Sequence, residues 1–307
     1  MSNKQYIGID IGGTKTHVGL VQQGALIREA KFATAATAPQ EQILAELVHH
    51  LEAFVGADVA GIGVGVPGLV DEANGIVHGV QNIPSWQEVH LQAHLASHFG
   101  KPVYLTNDAN AFTVGEKMYG QGQPFANLVG LVLGTGVGAG LIINHTLYSG
   151  TLSSAGEFGG IPYLDKTIED YCSGKFFAQR TGRPGAAWHA LAQQADAEAL
   201  DVFAEFGRHL GNAIKTILYA LSPEAIILGG SVSQCYEYFR GGLAESLREF
   251  PFKAVTERLV ITPSALGNAA VLGAAALCEM RQAPASAAPS RLSPEAGRVA
   301  QASGFAN

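Results

Sequence analysis

Two turns rich in glycine and threonine, each directly after an apolar run, are suited to binding phosphate. They are Gly12-Gly13-Thr14-Lys15 and Gly134-Thr135-Gly136. Glycine lets the backbone approach an anion closely and point its N–H groups at the oxygens, and threonine adds a hydroxyl donor. Each turn alone also fits an ordinary hairpin, so the phosphate interpretation depends on the two occurring in matched surroundings.

Two aspartates follow apolar runs where phosphoryl chemistry would need them. Asp10 lies within IGIDIGG, where a buried ionised carboxylate is costly unless it is paired. Mg²⁺ prefers a few carboxylates and retained water, so Asp10 is a candidate magnesium ligand, acting through water. Asp108 in LTNDANAF is the candidate general base. The plainer alternatives are a turn aspartate bonded to backbone amides and a helix N-cap.

Two glutamates are candidate ligands for sugar hydroxyls, which need several carboxylate and amide partners around one ring. They are Glu157 in SSAGEFGG and Glu169 in KTIEDYCSG. Both also have an ordinary interpretation. Glu157 suits a solvent-facing turn, and Glu169 suits the first turn of a helix, where the helix dipole favours acidic residues.

The segments that carry the two turns repeat one pattern. Residues 6–27 and 127–148 each run through an apolar strand, a Gly/Thr turn, a second strand, a polar turn and the start of a third strand. Two such hairpins on opposite sides of one cleft can hold a polyphosphate between them. The repeat therefore predicts a phosphotransferase built from two similar halves.

Apolar periodicity places further elements between these turns. Predicted helices cover 39–54, 91–99, 109–119, 177–180, 202–221 and 269–280, and predicted strands cover 59–66, 103–105, 225–228 and 259–262. Mixed hairpins and crossover helices predict a two-domain α/β fold with a deep cleft. We expect an N-terminal domain at 1–119, a larger C-terminal domain at 120–267, a C-terminal helix at 268–281 that packs back on the first domain, and an Ala/Pro/Ser-rich tail at 282–307.

Two better-known nucleotide motifs do not fit this chain. A P-loop, GxxxxGK[ST] opening a helix, does not occur. Gly63, Gly65 and Gly68 do spell GxGxxG after a strand, but Pro67 and the following LVDEANGIV interrupt the helix that a dinucleotide would need.

Composition excludes several classes of protein. Of 307 residues, 47% are hydrophobic and 15% charged, and the net charge is −7 without a dense basic run. These values favour a well-packed α/β protein and argue against nucleic-acid or anionic-membrane binding. The first residues, MSNKQYIGID, lack the long apolar core that is typical of a signal peptide, and no apolar run reaches the roughly 20 residues that span a bilayer. Three scattered cysteines form no pair motif, so we expect a reduced cytoplasmic compartment.

Taken together, these motifs resemble the ROK family of sugar kinases, in the superfamily of ATP-binding folds shared by actin, hexokinase and the heat-shock chaperone ATPases. The matching segments are IGIDIGGTKT and VLGTGVGAGLI for phosphate, GVGVPGLVD, QNIPSW and GEFGG for sugar, TNDANAFTVGE for catalysis and ILGGSVS for adenosine. The resemblance covers about residues 6–280. It implies a two-domain actin-like ATPase (ribonuclease H-like) fold with an interdomain cleft.

The resemblance also implies a role for each site residue. Asp108 would deprotonate a sugar hydroxyl, usually on carbon 6, as it attacks ATP, and Asp10 would support Mg²⁺. The implied ATP-binding residues are Gly12, Gly13, Thr14, Lys15, Thr135, Gly136, Gly229 and Gly230. The implied sugar-binding residues are Gly68, Asn82, Asn107, Asp108, Glu157 and Glu169.

One departure from the family pattern changes the expected metal content. The family commonly has a sugar-contacting, zinc-binding histidine where this chain has Gly160, followed by a cysteine cluster. Here GIPYLDKTIE runs from Gly160 to Glu169 without cysteine. A structural zinc site needs about four sulfur or nitrogen ligands, so we expect Mg²⁺ with ATP and no zinc.

Several alternatives stay open at this level. The sugar is glucose or another acceptor, such as N-acetylmannosamine, fructose, allose or a β-glucoside. A sugar-responsive regulator is less favoured, because the first core strand begins near Tyr6 and leaves no room for a helix-turn-helix domain. A sugar-binding protein without activity is a third alternative. The family also makes a homodimer plausible.

Overall fold

The first half of the chain forms a five-stranded sheet from the first repeat segment and two crossover strands. The strands are β1 (Gln5–Ile11), β2 (Lys15–Gln22), β3 (Ala25–Ala33), β4 (Val59–Val66) and β8 (Val103–Asn107), in the order β3-β2-β1-β4-β8. Strands β1 to β3 are antiparallel, whereas β1, β4 and β8 run parallel. Helices α1 (Gln40–Glu52), α2 (Leu91–Phe99) and α3 (Asp108–Tyr119) and a small sheet of β5 (Leu69–Asp71), β6 (Ile76–His78) and β7 (Glu88–Val89) complete this half.

The second half repeats this arrangement. Strands β9 (Leu128–Leu133), β10 (Val137–Ile143), β11 (Thr146–Leu147), β14 (Ala225–Gly229) and β15 (Val260–Pro263) form a sheet in the order β11-β10-β9-β14-β15. A short hairpin of β12 (Pro162–Tyr163) and β13 (Lys166–Thr167) precedes helices α4 (Ile168–Cys172), α5 (Gly174–Thr181), α6 (Gly185–Ala192) and α7 (Ala197–Leu221). Helices α8 (Tyr236–Leu247), α9 (Lys253–Thr256) and α10 (Ala269–Gln282) follow, and 3-10 turns cover Thr151–Ser153, Phe158–Gly160 and Val232–Cys235.

The polar turns of the two repeat segments share a backbone conformation. Gln23 and Gly24 between β2 and β3 have φ of 53° and 75°, and Asn144 and His145 between β10 and β11 have φ of 50° and 63°. Paired left-handed residues in a two-residue hairpin match the right-handed twist of the flanking strands. The predicted repeat of two hairpin-led halves is therefore confirmed.

Each sheet has its own hydrophobic core. The first contains Ile7, Ile9, Ile62 and Val64, all fully buried. The second is dominated by the buried face of α7, which packs closely on α8 because Gly207 and Gly242 leave room for the facing backbone. A Cβ on Gly207 would lie 2.1 Å from the carbonyl oxygen of Phe239.

Helix α10 crosses from the second half of the chain to lie against β1, β4 and α3 of the first. Glycines allow this contact: a Cβ added to Gly8 would lie 1.9 Å from the carbonyl oxygen of Val271, and one added to Gly63 would lie 1.8 Å from that of Ala274. The helix extends to Gln282. The computed structural model describes residues 4–282. Of the tail predicted at 282–307, Gln282 belongs to this helix, and the other residues lie outside the described part of the chain. The proposed domain boundaries stay a prediction.

Among the described helices, none combines the length and the apolar character needed to cross a membrane.

Candidate active site

A cavity of about 1010 Å³ lies between the two sheets, where the carboxyl ends of β1, β8 and β14 meet the turn between β9 and β10. Open α/β sheets commonly bind ligands at the carboxyl ends of their strands. Most of the predicted site residues line it. They are Asp10, Gly68, Asn82, Asn107, Asp108, Thr135, Gly136, Glu157, Glu169, Gly229 and Gly230.

The four residues of the first turn lie beside this cavity and are not among those that line it. They are Gly12, Gly13, Thr14 and Lys15. The turn is anchored by two hydrogen bonds to Gly12: its N–H donates to the Lys15 carbonyl at 2.9 Å, and the Thr34 hydroxyl donates to its carbonyl at 2.8 Å. Gly13 abuts the cavity-lining Asn82, since an added Cβ would lie 2.5 Å from the Asn82 Cβ. Phosphate binding by this turn stays a prediction.

Asp108 is the first residue of α3, and Asn107 is the N-cap. The Asn107 side chain accepts the Ala109 N–H at 2.9 Å and donates to the Gly68 carbonyl at 3.2 Å. The Asp108 carboxylate also accepts the Ala109 N–H, at 2.9 Å. Because Asn107 supplies the cap, Asp108 is not needed for it and its carboxylate lines the cavity.

Burial controls the protonation of the two aspartates. It raises the pKa of Asp108, although the N–H of Ala109 works in the opposite direction. Burial, followed by the negative charge of Asp108, raises the pKa of Asp10 to about 7. Two close carboxylates in a poorly solvated site are best stabilised by a cation between or beside them.

This donor set fits a hydrated Mg²⁺ that arrives with phosphates, since that ion takes one or two carboxylates and keeps several waters. Within residues 4–282, no cluster of three or more His, Cys, Asp or Glu side chains is arranged to hold a metal ion. Oxygen atoms from a nucleotide would complete the coordination. The expected lack of zinc stays a prediction.

Glu169 is held under the second turn by two partners. One carboxylate oxygen accepts the Val137 N–H at 3.0 Å, and the other accepts the Lys175 ammonium at 2.5 Å. Gly136 makes room for it, because a Cβ there would lie 2.5 Å from the Glu169 Oε2. Glu169, which was predicted to bind sugar, therefore lies directly beside the second turn, which was predicted to bind phosphate.

The local sequence explains why Glu169 reaches this position. Thr167 and Asp170 form a capping box that starts α4, with the Thr167 hydroxyl donating to the Asp170 carboxylate at 2.8 Å. Glu169 therefore lies in the first turn of a helix, as predicted. Burial raises the pKa of Glu157, which also lines the cavity, and the charges of Asp108 and Glu169 raise it further. The acidic residues are thus close enough to interact.

The second turn and the predicted adenosine segment are braced by their own hydrogen bonds. The Gly134 N–H donates to the Gly136 carbonyl at 3.0 Å, and the Gly174 N–H at the start of α5 donates to the Gly134 carbonyl at 2.8 Å. Gly230 has a φ of 80°, and the Ser233 hydroxyl donates to its carbonyl at 2.7 Å. Both segments line the same cavity.

His17 also lines the cavity and was not predicted. It lies opposite Asp10 in the β1–β2 register, and its Nε2 donates to Glu29 at 2.6 Å. Burial lowers its pKa, while the hydrogen bond to Glu29 acts to raise it. The hairpin pattern could have predicted this position, because directly opposed residues of an antiparallel pair, here His17 and Asp10, lie on one face of the sheet.

A repeated sheet, a cleft between the two halves and a helix that joins them define the α/β fold of the actin-like ATPase superfamily. Within it, the chain belongs to the ROK family, whose model matches residues 6–281.

Relatives of this chain include enzymes and regulators. The glucokinase of Thermotoga maritima is 30% identical over 316 residues, covering 92% of this chain and 99% of the relative. The xylose repressor of Bacillus spizizenii is 28% identical over 294 residues, covering 87% and 75%. Among solved structures, a ROK glucokinase from Streptomyces griseus in complex with glucose and AMPPNP has a TM-score of 0.78 at 30% identity, covering 90% of this chain and 99% of that one.

Proposed function

We propose that this protein is an ATP-dependent sugar kinase that phosphorylates a hexose at its 6-hydroxyl. The observation that carries the proposal is the convergence of Asp10, Asp108, Glu157 and Glu169 with the second glycine turn on one cavity. The similarity to glucokinases supports the same conclusion.

Asp108 is the residue that would accept the proton of the attacking hydroxyl. Its buried position raises its pKa, which makes it a stronger base than an exposed aspartate. As the proton leaves, the sugar oxygen forms a bond to the γ-phosphorus of ATP and the bond to the β-phosphate oxygen breaks, releasing ADP. Such transfer depends on positioning and charge neutralisation and needs no covalent intermediate on the protein.

The other residues of the site would position the reactants. Asn82, Asn107, Glu157 and Glu169 would bind sugar hydroxyls, and the residues of the two glycine turns, with Gly229 and Gly230, would bind the nucleotide. Mg²⁺ bound with ATP would neutralise part of the phosphate charge. Asp10 would hold its water shell and orient it toward the transferred group.

The direct test is ADP release with MgATP and a panel of hexoses that includes glucose, mannose, fructose, allose and N-acetylmannosamine. Phosphorylation of at least one hexose at carbon 6, identified by NMR of the product, is the expected result. Sugar binding by calorimetry without turnover of any sugar would instead indicate a sugar-responsive protein like the repressor relatives.

A further inference from the structure

One carboxylate outside the cavity lining, that of Glu72, bonds to both halves of the chain. Glu72 lies in the turn of the β5–β6 hairpin, and its side chain is 16% exposed. The hydroxyl groups of Thr106, Ser149 and Ser153 all donate to one of its oxygens, each at 2.9 Å. Thr106 belongs to the first half of the chain and both serines belong to the second, so this carboxylate links the two halves.

In the first half, the hairpin that carries Glu72 is bonded to the two residues that precede the proposed base, Asp108. Thr106 is fully buried and donates to Glu72. Asn107 donates to the carbonyl of Gly68, directly before β5, at 3.2 Å. The position of Asp108 at the start of α3 therefore depends on how this hairpin is held.

In the second half, Glu72 holds the loop that leads into Glu157. In this loop, Leu152 and Ser153 have φ of 53° and 54°. Left-handed backbone is unfavourable for residues with a side chain and persists where surrounding contacts impose it. The hydrogen bonds from Ser149 and Ser153 to Glu72 are contacts of this kind, and they lie shortly before Glu157 in the chain.

The hydroxyl groups contribute more to this link than its one cation does. Nη2 of Arg281, at the end of α10, donates to the other Glu72 oxygen at 2.7 Å. Half of the Arg281 side chain is exposed, and exposed ion pairs contribute little. Thr106 and Ser153 are buried, and a buried donor that loses its acceptor costs the free energy of its desolvation.

We propose that Glu72 is a positioning residue, which sets the separation between the proposed base Asp108 and the proposed sugar ligand Glu157. It does so by bonding Thr106, before the first, and the loop of Ser149 and Ser153, before the second. The two carboxylates are close enough to interact, since the charge of Asp108 acts on Glu157. This inference rests on the proposed sugar kinase function and extends it to a residue that does not line the cavity.

The test compares Glu72→Met with Glu72→Gln, using the sugar that the wild type binds most tightly in calorimetry. Methionine removes both acceptor oxygens. We expect the Kd and the KM for the sugar to rise by about 10- to 100-fold and kcat to fall about tenfold, because a misplacement of about 1 Å can cost this much. The KM for ATP should stay within about twofold.

Glutamine distinguishes positioning from charge. Its amide oxygen can still accept the three hydroxyl groups, and only the pairing with Arg281 is lost. Glu72→Gln should therefore keep the KM for the sugar within about threefold of the wild-type value.

Deleting single hydroxyl groups keeps the inference testable if Glu72→Met does not fold. Thr106→Val and Ser153→Ala each remove one donor and leave the carboxylate in place. Each should raise the KM for the sugar about three- to tenfold, in proportion to one lost hydrogen bond to a charged group, with the KM for ATP unchanged.

The matched control is Glu224→Met. The Glu224 carboxylate accepts the Asn127 N–H at 2.7 Å, so it joins two segments of the second half, and it does not line the cavity. This variant should leave the KM for the sugar and the KM for ATP within about twofold of the wild-type values.

The outcomes separate the inference from the proposed function. An unchanged Kd and KM for the sugar in Glu72→Met, shown to be folded by a thermal melt, or in both hydroxyl variants, overturns the inference and leaves the kinase proposal standing. Equal increases in the KM for sugar and for ATP also overturn it, because they indicate a general loosening of the fold. If a sugar binds but none is phosphorylated, the kinase proposal is rejected and the calorimetric Kd still decides the role of Glu72. Absence of both binding and turnover rejects both.

Discussion

Asp10 and Asp108 lie close enough in the buried end of the cleft for the charge of one to raise the pKa of the other. This repulsion, added to burial, brings the pKa of Asp10 to about 7. Two carboxylates that repel each other in the absence of a cation are stabilised when a cation binds beside them. Such a pair is suited to a reaction that uses a metal-bound polyphosphate. The same pair provides two separable predictions, one for catalysis and one for stability.

Replacing Asp108 with asparagine should lower kcat by about 100- to 10,000-fold, because an amide cannot accept the hydroxyl proton. The fold should persist, since Asn107 supplies the helix cap and an asparagine oxygen can still accept the Ala109 N–H. Steady-state kinetics with MgATP, together with a thermal melt, measures both effects. Asp201→Asn, on the exposed face of α7, is the control, and a near-normal rate in Asp108→Asn would show that another group is the base.

Replacing Asp10 with asparagine should stabilise the protein at alkaline pH when nucleotide and Mg²⁺ are withheld. The folded pKa of about 7 lies above the ordinary value of 3.8, so between these values the folded state keeps a proton that the unfolded chain releases. The free energy of unfolding of the wild type therefore falls as pH rises from about 4 to 7. The gain of the variant should approach the order of 4 kcal/mol at pH 8 and be smaller at pH 5.

Urea unfolding of both proteins at pH 5 and pH 8 measures this difference. Asp71→Asn is a control of opposite sign, because hydrogen bonds from Asn74 lower the pKa of Asp71. Its contribution is present at neutral pH and lost as the pH falls through the folded pKa, so this variant should be less stable than the wild type at pH 8. A pH-independent difference for Asp10→Asn would contradict the assigned burial.

Replacing Lys175 with methionine should loosen Glu169 and raise the KM for the sugar by about two- to fivefold, with little change in kcat. The ion pair is partly exposed, and such pairs contribute roughly 0.2–1 kcal/mol. Lys175→Arg should recover most of the loss. Lys166→Met is a matched control on the neighbouring hairpin, where Lys166 bonds Gln179 and not the cavity. If the KM for ATP changes while that for the sugar does not, Glu169 belongs to the nucleotide site.

Two glycines of the second turn should respond differently to alanine. A Cβ on Gly136 would lie 2.5 Å from the Glu169 Oε2, whereas a Cβ on Gly134 meets no atom within 4 Å. Because the Glu169 carboxylate is the far end of a flexible side chain, Gly136→Ala should displace it and raise the KM for the sugar about tenfold, at a cost of roughly 1 kcal/mol in stability. Gly134→Ala should leave the KM for the sugar within about twofold of the wild-type value. Equal KM effects in the two variants would argue against Glu169 as a sugar ligand.

The contact between α10 and the first sheet should be intolerant of any added side chain. In Gly63→Ala the new methyl group would meet the Ala274 carbonyl oxygen at 1.8 Å, and backbone on both sides cannot move freely. We expect a loss of about 1–3 kcal/mol or more in the free energy of unfolding. Gly56→Ala, where an added Cβ has open space, is the comparison in chemical denaturation, and equal stability of the two variants would contradict the close packing.

Much of the fold is readable from local pattern. The strand predicted at 59–66 has those bounds, and the helix predicted at 39–54 is observed as Gln40–Glu52, because apolar periodicity directly reflects which face is buried. The strand predicted at 103–105 extends to Asn107, because its pairing with β4 continues as far as the pair of Val66 with Asn107. The small sheet of β5, β6 and β7 was missed because strands of two or three residues show no period.

For this protein, the amino-acid sequence alone determined the two hairpin-led halves, the family resemblance and the residue types of the site, because repeats, glycine turns and isolated carboxylates are local features. Only the tertiary structure decided which of them share a cavity. It brought Glu169 beneath the second turn, placed His17 beside Asp10, and left the Gly12–Lys15 turn next to the cavity and outside its lining. Such relationships depend on how distant segments pack, since burial and charge interactions are set by neighbours that are remote in the chain.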